Sequence, residues 1–368
     1  MKEKFCLELS LENDFMGLQS FCFPIAVFMS DAKFKNWYYT NYMIPIVRLK
    51  GVSILSYDIV DSFMYGSNSS MNNKIMRMNS VNADFCAQIK DINDVLKKEL
   101  ANEYYCVLFL DCYYLSPLQW FYHNIHYAHE VLFYGYDDSL RIYKCYGYLD
   151  NSYQRFELSY DEVEQGFKEA LKYVRERDGW DEYMFITMDI VLHETDYPYI
   201  NDSFIEKLKL YIEGEIPCKI YYENRFYMKR TQGDCIVSGI NIIDAFCNYV
   251  NTLCTLLENN TLYDSFVNQL NAFNMFWSFH VGMLKRLRYF ADINGLSDKL
   301  EHFILDYDVN IVRRSKLVRM LYVKLICQVE RKYKISNILQ GIAENLNQIK
   351  TAEKEIISKY IEAIADYC

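Results

Sequence analysis

Tyr122-His123-Asn124-Ile125-His126-Tyr127-Ala128-His129-Glu130-Val131-Leu132-Phe133-Tyr134-Gly135-Tyr136-Asp137-Asp138 is the stretch on which the fold of this chain turns. From His129 to Tyr136 it reads as a strand. A second strand spans Leu140 to Tyr148, and Asp137-Asp138-Ser139 between them has the polar residues of a hairpin turn. Three of the chain's six histidines fall within this stretch at spacing i, i+3, i+6. On a helix they would partly share a face and suggest a metal site. The segment instead runs into an alternating strand, which breaks that face, and no nearby Asp, Glu or Cys completes a ligand set. The plain alternative for the three is that of ordinary polar loop histidines.

Outward from this hairpin, Tyr104 to Leu110 is apolar throughout, as a buried central strand is. A short polar helix spans Asp91 to Leu100. Ser159 with Glu162 three residues on has the form of a capping box, opening a helix to about Arg177. Met184 to Val191 reads as one more strand. Near the N-terminus, Ile25, Phe28, Met29, Phe34, Trp37 and Tyr38 recur at roughly helical spacing, so a helix is expected from Cys22 to about Tyr42. Pro24 suits its first turn, which puts Cys22 at or just before the helix N-terminus. Residues 43–65 read as one or two strands and 66–73 as a polar loop. After a break at Pro198, residues 201–213 are helical and Lys219 to Met228 reads as a strand or hairpin. From Gly239 onward nearly everything reads as helix, with breaks at Asn259-Asn260, Asn294-Gly295 and Lys334-Ile335-Ser336. The last segment, Ile335 to Tyr367, reads as an amphipathic helix or a helical hairpin with a charged outer face. The expected class is α+β: an N-terminal half with a central antiparallel sheet and an all-helical C-terminal half. The expected divisions are 1–198, a connecting segment 199–235, and a helical domain 236–368.

A chain of 368 residues can bury a sizeable core, and with 51% hydrophobic residues it is not globally disordered. Its formal net charge of −10 argues against nucleic acid as a partner, because phosphate binding needs clustered Lys and Arg. The 17% aromatic content, with 34 Tyr, suits wet pockets and half-buried strands, with a composition bias toward Asn, Lys, Ile and Tyr as the plainer explanation. The twelve cysteines sit singly, without any C-x-x-C pair, so no zinc knuckle or redox motif is indicated. The segment Met-Lys-Glu-Lys-Phe-Cys-Leu-Glu has acids where a signal peptide needs an apolar run. No stretch approaches ~20 uncharged apolar residues, so no membrane span is expected. A cytoplasmic location with free thiols follows as the expectation.

The run His129-Glu130-Val131-Leu132-Phe133-Tyr134-Gly135-Tyr136-Asp137-Asp138 resembles the His-bearing strand of papain-like enzymes of the C39-peptidase type. It is similar, more closely still, to the butirosin-biosynthesis acyltransferase family. Val107 to Leu115 resembles that family's strand ending in an Asp before aromatic residues, and Ile142 to Leu158 resembles its following strand. The resemblance implies a papain-like N-terminal half with Cys22 as nucleophile and His129 as general base and acid. It implies an acyl or peptidyl carrier protein as partner, whose phosphopantetheine-bound acyl group is the substrate, and a small amine as acceptor. No cofactor or metal of the protein's own, no nucleic acid and no membrane enters that scheme, and a homodimer is compatible with it. Cys6 and Cys112 lie inside strand-like runs and are poorer nucleophile candidates.

Thiol chemistry of this kind has simple requirements. The positive end of a helix dipole favours a thiolate, and a nearby imidazole takes its proton. Backbone N–H groups at the helix start, with Gln19 as an added side-chain donor, would hold an oxyanion. The imidazole also needs an orienting partner. A hairpin centred on Asp138 would set position 129 opposite about position 147, where Cys145, Tyr146, Gly147 and Tyr148 supply no carboxylate. Asp137 and Asp138 lie at the far end, more than ~20 Å along the strand. Asp111, ending the neighbouring strand, is the first choice for orienter and Tyr146 the second. Tyr113, Tyr114 and His126 are candidates for substrate or partner contact. In the helical half, His280, Lys285 and Arg288 form a basic region that is either a solvated helix face or a docking patch for an acidic carrier. Three readings remain open: a cysteine acyltransferase, a peptidase or amidase with the same site open to water, and an inert binding protein with the same fold.

Overall fold

In the computed structural model, the residues described are 2–11, 19–41, 43–59, 76–149, 152–174, 184–190, 199–215, 234–331 and 335–365. The strands among them are, in chain order, β1 Lys4–Cys6, β2 Pro45–Lys50, β3 Ser53–Ile59, β4 Met76–Val81, β5 Tyr105–Asp111, β6 Ala128–Asp137, β7 Ile142–Leu149, β8 Ser152–Ser159, β9 Phe185–Ile190 and β10 Asp234–Ser238. The main helices are α1 Gln19–Phe28, α2 Ile92–Ala101, α3 Tyr160–Val174, α4 Asn201–Glu213, α5 Ile242–Glu258, α6 Leu270–Ile293, α7 Ser297–Tyr307, α8 Arg313–Glu330 and α9 Ser336–Ile364.

The chain divides into two compact units, Met1–Phe34 with Phe63–Asp196, and Lys35–Ser62 with Tyr197–Cys368. The expected divisions at 198 and 235 are corrected at two places: Tyr197–Cys368 belongs to one unit, with no separate connecting segment, and Lys35–Ser62 joins that unit. The hairpin β2–β3 pairs through β2 with β10, in the order β10-β2-β3, and so belongs with the second unit. Such a pairing joins strands almost two hundred residues apart, and no local pattern announces it.

The first unit is an antiparallel sheet in the order β4-β9-β5-β6-β7-β8, with β1 added along the far half of β6. β5 is buried at every position, as its unbroken apolar run predicts. The β6–β7 hairpin forms, but Asp137 pairs with Ile142 and Arg141 takes φ 54, so the connection is longer than a turn on Asp138. A bulge between Phe133 and Gly135 shifts the register further. Gly135 is required because a Cβ there would meet Phe5 O of β1 at 2.7 Å. The Asp pair does turn chemistry. Asp137 Oδ1 accepts from Ser139 N and Leu140 N (3.1 and 3.3 Å), Oδ2 pairs with Lys4 (2.7 Å), and Asp138 Oδ1 accepts from Tyr160 OH and Lys97 (2.8 and 3.1 Å). The capping box at α3 is present: Glu162 N donates to Ser159 Oγ at 3.2 Å, and Ser159 N to Glu162 Oε2 at 2.7 Å.

The expected helix from Cys22 to Tyr42 is broken. α1 ends at Phe28, a 3-10 turn spans Ala32–Phe34, and a separate helix spans Lys35–Asn41. Ser30 Oγ donates to Val27 O (2.6 Å) and Asp31 Oδ1 accepts from Lys33 N (3.0 Å), so local side chains end one helix and start the next turn.

The second unit is helical around the β10-β2-β3 sheet. Its breaks follow the turn residues: Asn260 and Gly295 take φ 56 and 66 after α5 and α6. Its core contains a polar cluster. His280 Nδ1 donates to Phe276 O (2.6 Å), its Nε2 lies 3.3 Å from Glu353 Oε2, and Tyr307 OH donates to Glu353 Oε1 (2.6 Å). Burial, and then the charge of Glu353, pushes the phenols of Tyr57, Tyr211 and Tyr307 well up from their ordinary value. The stretch Gly239–Glu258 is long and apolar enough, by length and composition, to cross a membrane, which differs from the sequence expectation; here Ile242, Phe246, Tyr249 and Leu253 of α5 are buried within the unit. The expectations at Pro198 and at Lys219 to Met228 lie outside the described residues.

Candidate active site

α1 is apolar on all sides, and nine of its ten residues are buried. A helix buried all round is set by packing, which overrides the preference of proline for a first turn. Pro24 is therefore the sixth helical residue and Cys22 the fourth. This corrects the placement of Cys22 at the helix tip. The end charge of a helix acts within the first turn, which Cys22 closes, and its side chain is fully buried.

The first residue of α1 makes the link to the histidine. Gln19 Nε2 lies 3.1 Å from His129 Nδ1 and 3.2 Å from His129 Nε2. Near-equal distances to nitrogens on either side of Cε1 place the amide over the ring face, since in the ring plane it would collide with Cε1. Gln19, expected as an oxyanion donor, thus rests on the imidazole, and Cys22 follows one helical turn later.

His129 has a carboxylate partner that the sequence analysis missed. Glu130 Oε2 lies 2.8 Å from His129 Nδ1. That oxygen is buried and makes no hydrogen bond, so it lies out of line with the ring N–H direction and attracts the ring only when the imidazole is protonated. The Glu130 backbone N–H donates to the same Nδ1 at 2.9 Å, which puts the lone pair of the neutral ring on Nδ1 and its proton on Nε2. Protonation of Nδ1 would exchange that donor for the carboxylate of the same residue. The adjacent His-Glu pair is itself the signal, although neighbouring residues on a strand point to opposite faces.

Asp111 does not orient His129. It pairs in register with Ala128, while His129 pairs with Leu110, and alternation sends Asp111 and His129 to opposite faces of the sheet. The carboxylate is wholly engaged elsewhere. Its Oδ2 lies 2.7 Å from His126 Nδ1, and its Oδ1 accepts from Tyr113 N and Tyr127 N at 3.1 and 3.0 Å. Tyr146, the second choice, pairs with Leu132, three residues along from His129, and its ring lies against Phe23 and Tyr153 at 6.0 and 5.8 Å. The longer connection and the bulge account for the miscount.

Tyr113, Tyr114 and His126 do come together. The His126 ring stacks on Tyr113 at 4.1 Å and 12° and lies 6.1 Å from Tyr114. The basic patch does not form as expected. His280 is fully buried and held by Glu353 and Phe276, leaving Arg288 exposed and Lys285 half-buried. No group of three or more His, Cys, Asp or Glu side chains that could hold a metal ion occurs among the described residues.

The thiols of Cys106 and Cys145 are pushed well up by burial, and that of Cys86 is pushed up to about 12 by the same cause. All three are poor nucleophiles. No protein-family model matches the chain, and a search of curated proteins finds no significant match.

Proposed function

We propose that the first unit is a papain-like cysteine acyltransferase centred on Cys22 and His129, acting in the cytoplasm on an acyl group delivered as a carrier-protein thioester. The observation that carries this reading is the seating of the Gln19 amide on the His129 ring, which brings the first turn of α1, closed by Cys22, to the imidazole.

In this scheme the Cys22 thiol gives its proton to His129, and the thiolate attacks the thioester carbonyl. The carrier thiol leaves with the proton from the imidazolium, and the acyl group stays on Sγ. A small amine then attacks the acyl carbon and gives a proton to His129. The C–N bond forms, the C–S bond breaks, and the Cys22 thiolate is reprotonated by the imidazolium. Glu130 supplies negative charge where the imidazolium forms. Water in place of the amine gives the hydrolase alternative, and an amine excess separates the two outcomes by product.

The complete burial of Cys22 favours a second reading, a binding protein that keeps the fold without the chemistry. The two are separated with a butyryl thioester of N-acetylcysteamine and an excess of a primary amine. Amide formed by the native protein and lost in Cys22→Ala supports transfer. Equal product from both proteins, or none from either, leaves the binding reading.

A further inference from the structure

The geometry points to a second proton-transfer site in the first unit, Asp111 with His126, that binds a planar aromatic molecule bearing an acidic O–H and takes its proton at His126 Nε2. It does not depend on the chemistry of Cys22.

Asp111 is fully buried, yet its imidazole partner is 41% exposed. The carboxylate accepts two backbone N–H groups, from Tyr113 and Tyr127, that flank the two ends of the loop between β5 and β6. A carboxylate held by such donors meets a third group as an acceptor, so the contact of 2.7 Å puts the proton on His126 Nδ1. The neutral ring then carries its lone pair on Nε2. A fixed tautomer with its lone pair on the nitrogen away from the carboxylate, in a side chain 41% exposed, is the arrangement a general base uses.

The surroundings fix the ring and suggest the ligand. His126 stacks on Tyr113 at 4.1 Å and lies near-parallel to Tyr173 at 5.8 Å and 28°. The loop that bears it is tied down: Cys112 N donates to Tyr127 O and His123 N to Tyr113 O, each at 2.9 Å, and Ser116 N to Glu162 Oε1 at 2.8 Å. Lys172, near Tyr114 and Tyr173, is paired with Glu169 at 2.6 Å. Aromatic walls favour a planar ring, and the lone pair requires a donor. A phenol has both properties. Its O–H bond breaks, the proton forms an N–H bond at Nε2, and the phenolate remains beside an imidazolium whose Nδ1–H stays on Asp111. His126 is the catalytic residue here and Asp111 its positioning residue.

The test uses the full chain and 4-nitrophenol, whose phenolate absorbs visible light, at a pH below the phenol's own midpoint. Added native protein is expected to raise the phenolate band severalfold. In His126→Gln, which alters a half-exposed side chain, the rise is expected to vanish. In Asp111→Asn a side-chain N–H faces Nδ1, so the nitrogen-15 spectrum of His126 should move its proton from Nδ1 to Nε2, and the phenolate band should fall with it. No rise with native protein, the same rise with His126→Gln, or a native His126 protonated on Nε2 alone would each overturn the assignment. An unchanged tautomer in Asp111→Asn would remove the positioning role.

Discussion

The carboxylate of Asp111 is held 2.7 Å from Nδ1 of His126, and the strand register that places it there turns it away from His129. A carboxylate on one of two neighbouring strands serves the histidine on its own face, so the chain separates two imidazoles only three residues apart into different settings. His129 is left with Glu130 and Gln19, and each arrangement has consequences that can be measured.

Glu130→Gln keeps the shape of the side chain and removes the charge beside His129 Nδ1. Under the proposed chemistry it should lower the rate of acyl transfer by about 10²-fold, the lower end of what general acid–base groups contribute. Thermal unfolding should be little changed. A variant that turns over like the native protein would show that this charge plays no part.

Asp137 should make the first unit sensitive to acid. Its bonds to Lys4 and Ser139 hold its carboxyl down at about 2, below the ordinary value of about 3.9 for the unfolded chain. The folded-state value is depressed, so the stabilisation is present above about pH 4 and is lost as the pH falls toward 2. Urea midpoints measured from pH 5 down to pH 2 should fall in the native protein and fall less steeply in Asp137→Asn. Identical slopes would contradict the assignment.

In the second unit, Glu353 is fully buried and receives Tyr307 OH at 2.6 Å beside His280 Nε2 at 3.3 Å. The Nδ1 proton is committed to Phe276 O, and Nε2 and Tyr307 OH meet the same carboxylate. Glu353→Leu leaves the tyrosine and the imidazole without that acceptor and should cost about 3–5 kcal/mol, as removing one partner of a buried pair does. Chemical denaturation reads this directly, and a loss under 1 kcal/mol would mean that the cluster is not coupled.

Much of the fold is legible locally. The hairpin after His129, the buried strand before Asp111, the Ser159–Glu162 box and the breaks at Asn260 and Gly295 each follow from turn, cap or periodicity chemistry within a few residues. What was not legible depends on geometry that accumulates over distance. The bulge at Phe133 and Gly135 and the extended turn through Arg141 moved Tyr146 away from the level of His129. The break at Ser30 and Asp31 was hidden by an apolar pattern that continues across it. Pairing of β2 with β10 is a contact between distant segments. At the candidate site, the contact of Gln19 with His129 joins two residues that the sequence singles out, whereas the contact of Glu130 with His129 and the bond of Asp111 to His126 depend on side-chain geometry that no local pattern shows.

The central claim is that Cys22 carries the acyl group, and peptide-level mass spectrometry tests it most directly. After brief exposure to the butyryl thioester without amine, the native protein should gain one butyryl group, mapped to Cys22, and lose it when amine is added. His129→Ala should acylate far more slowly. Acyl groups found on the exposed thiols Cys6, Cys235 or Cys327 while Cys22 remains unmodified would contradict the account.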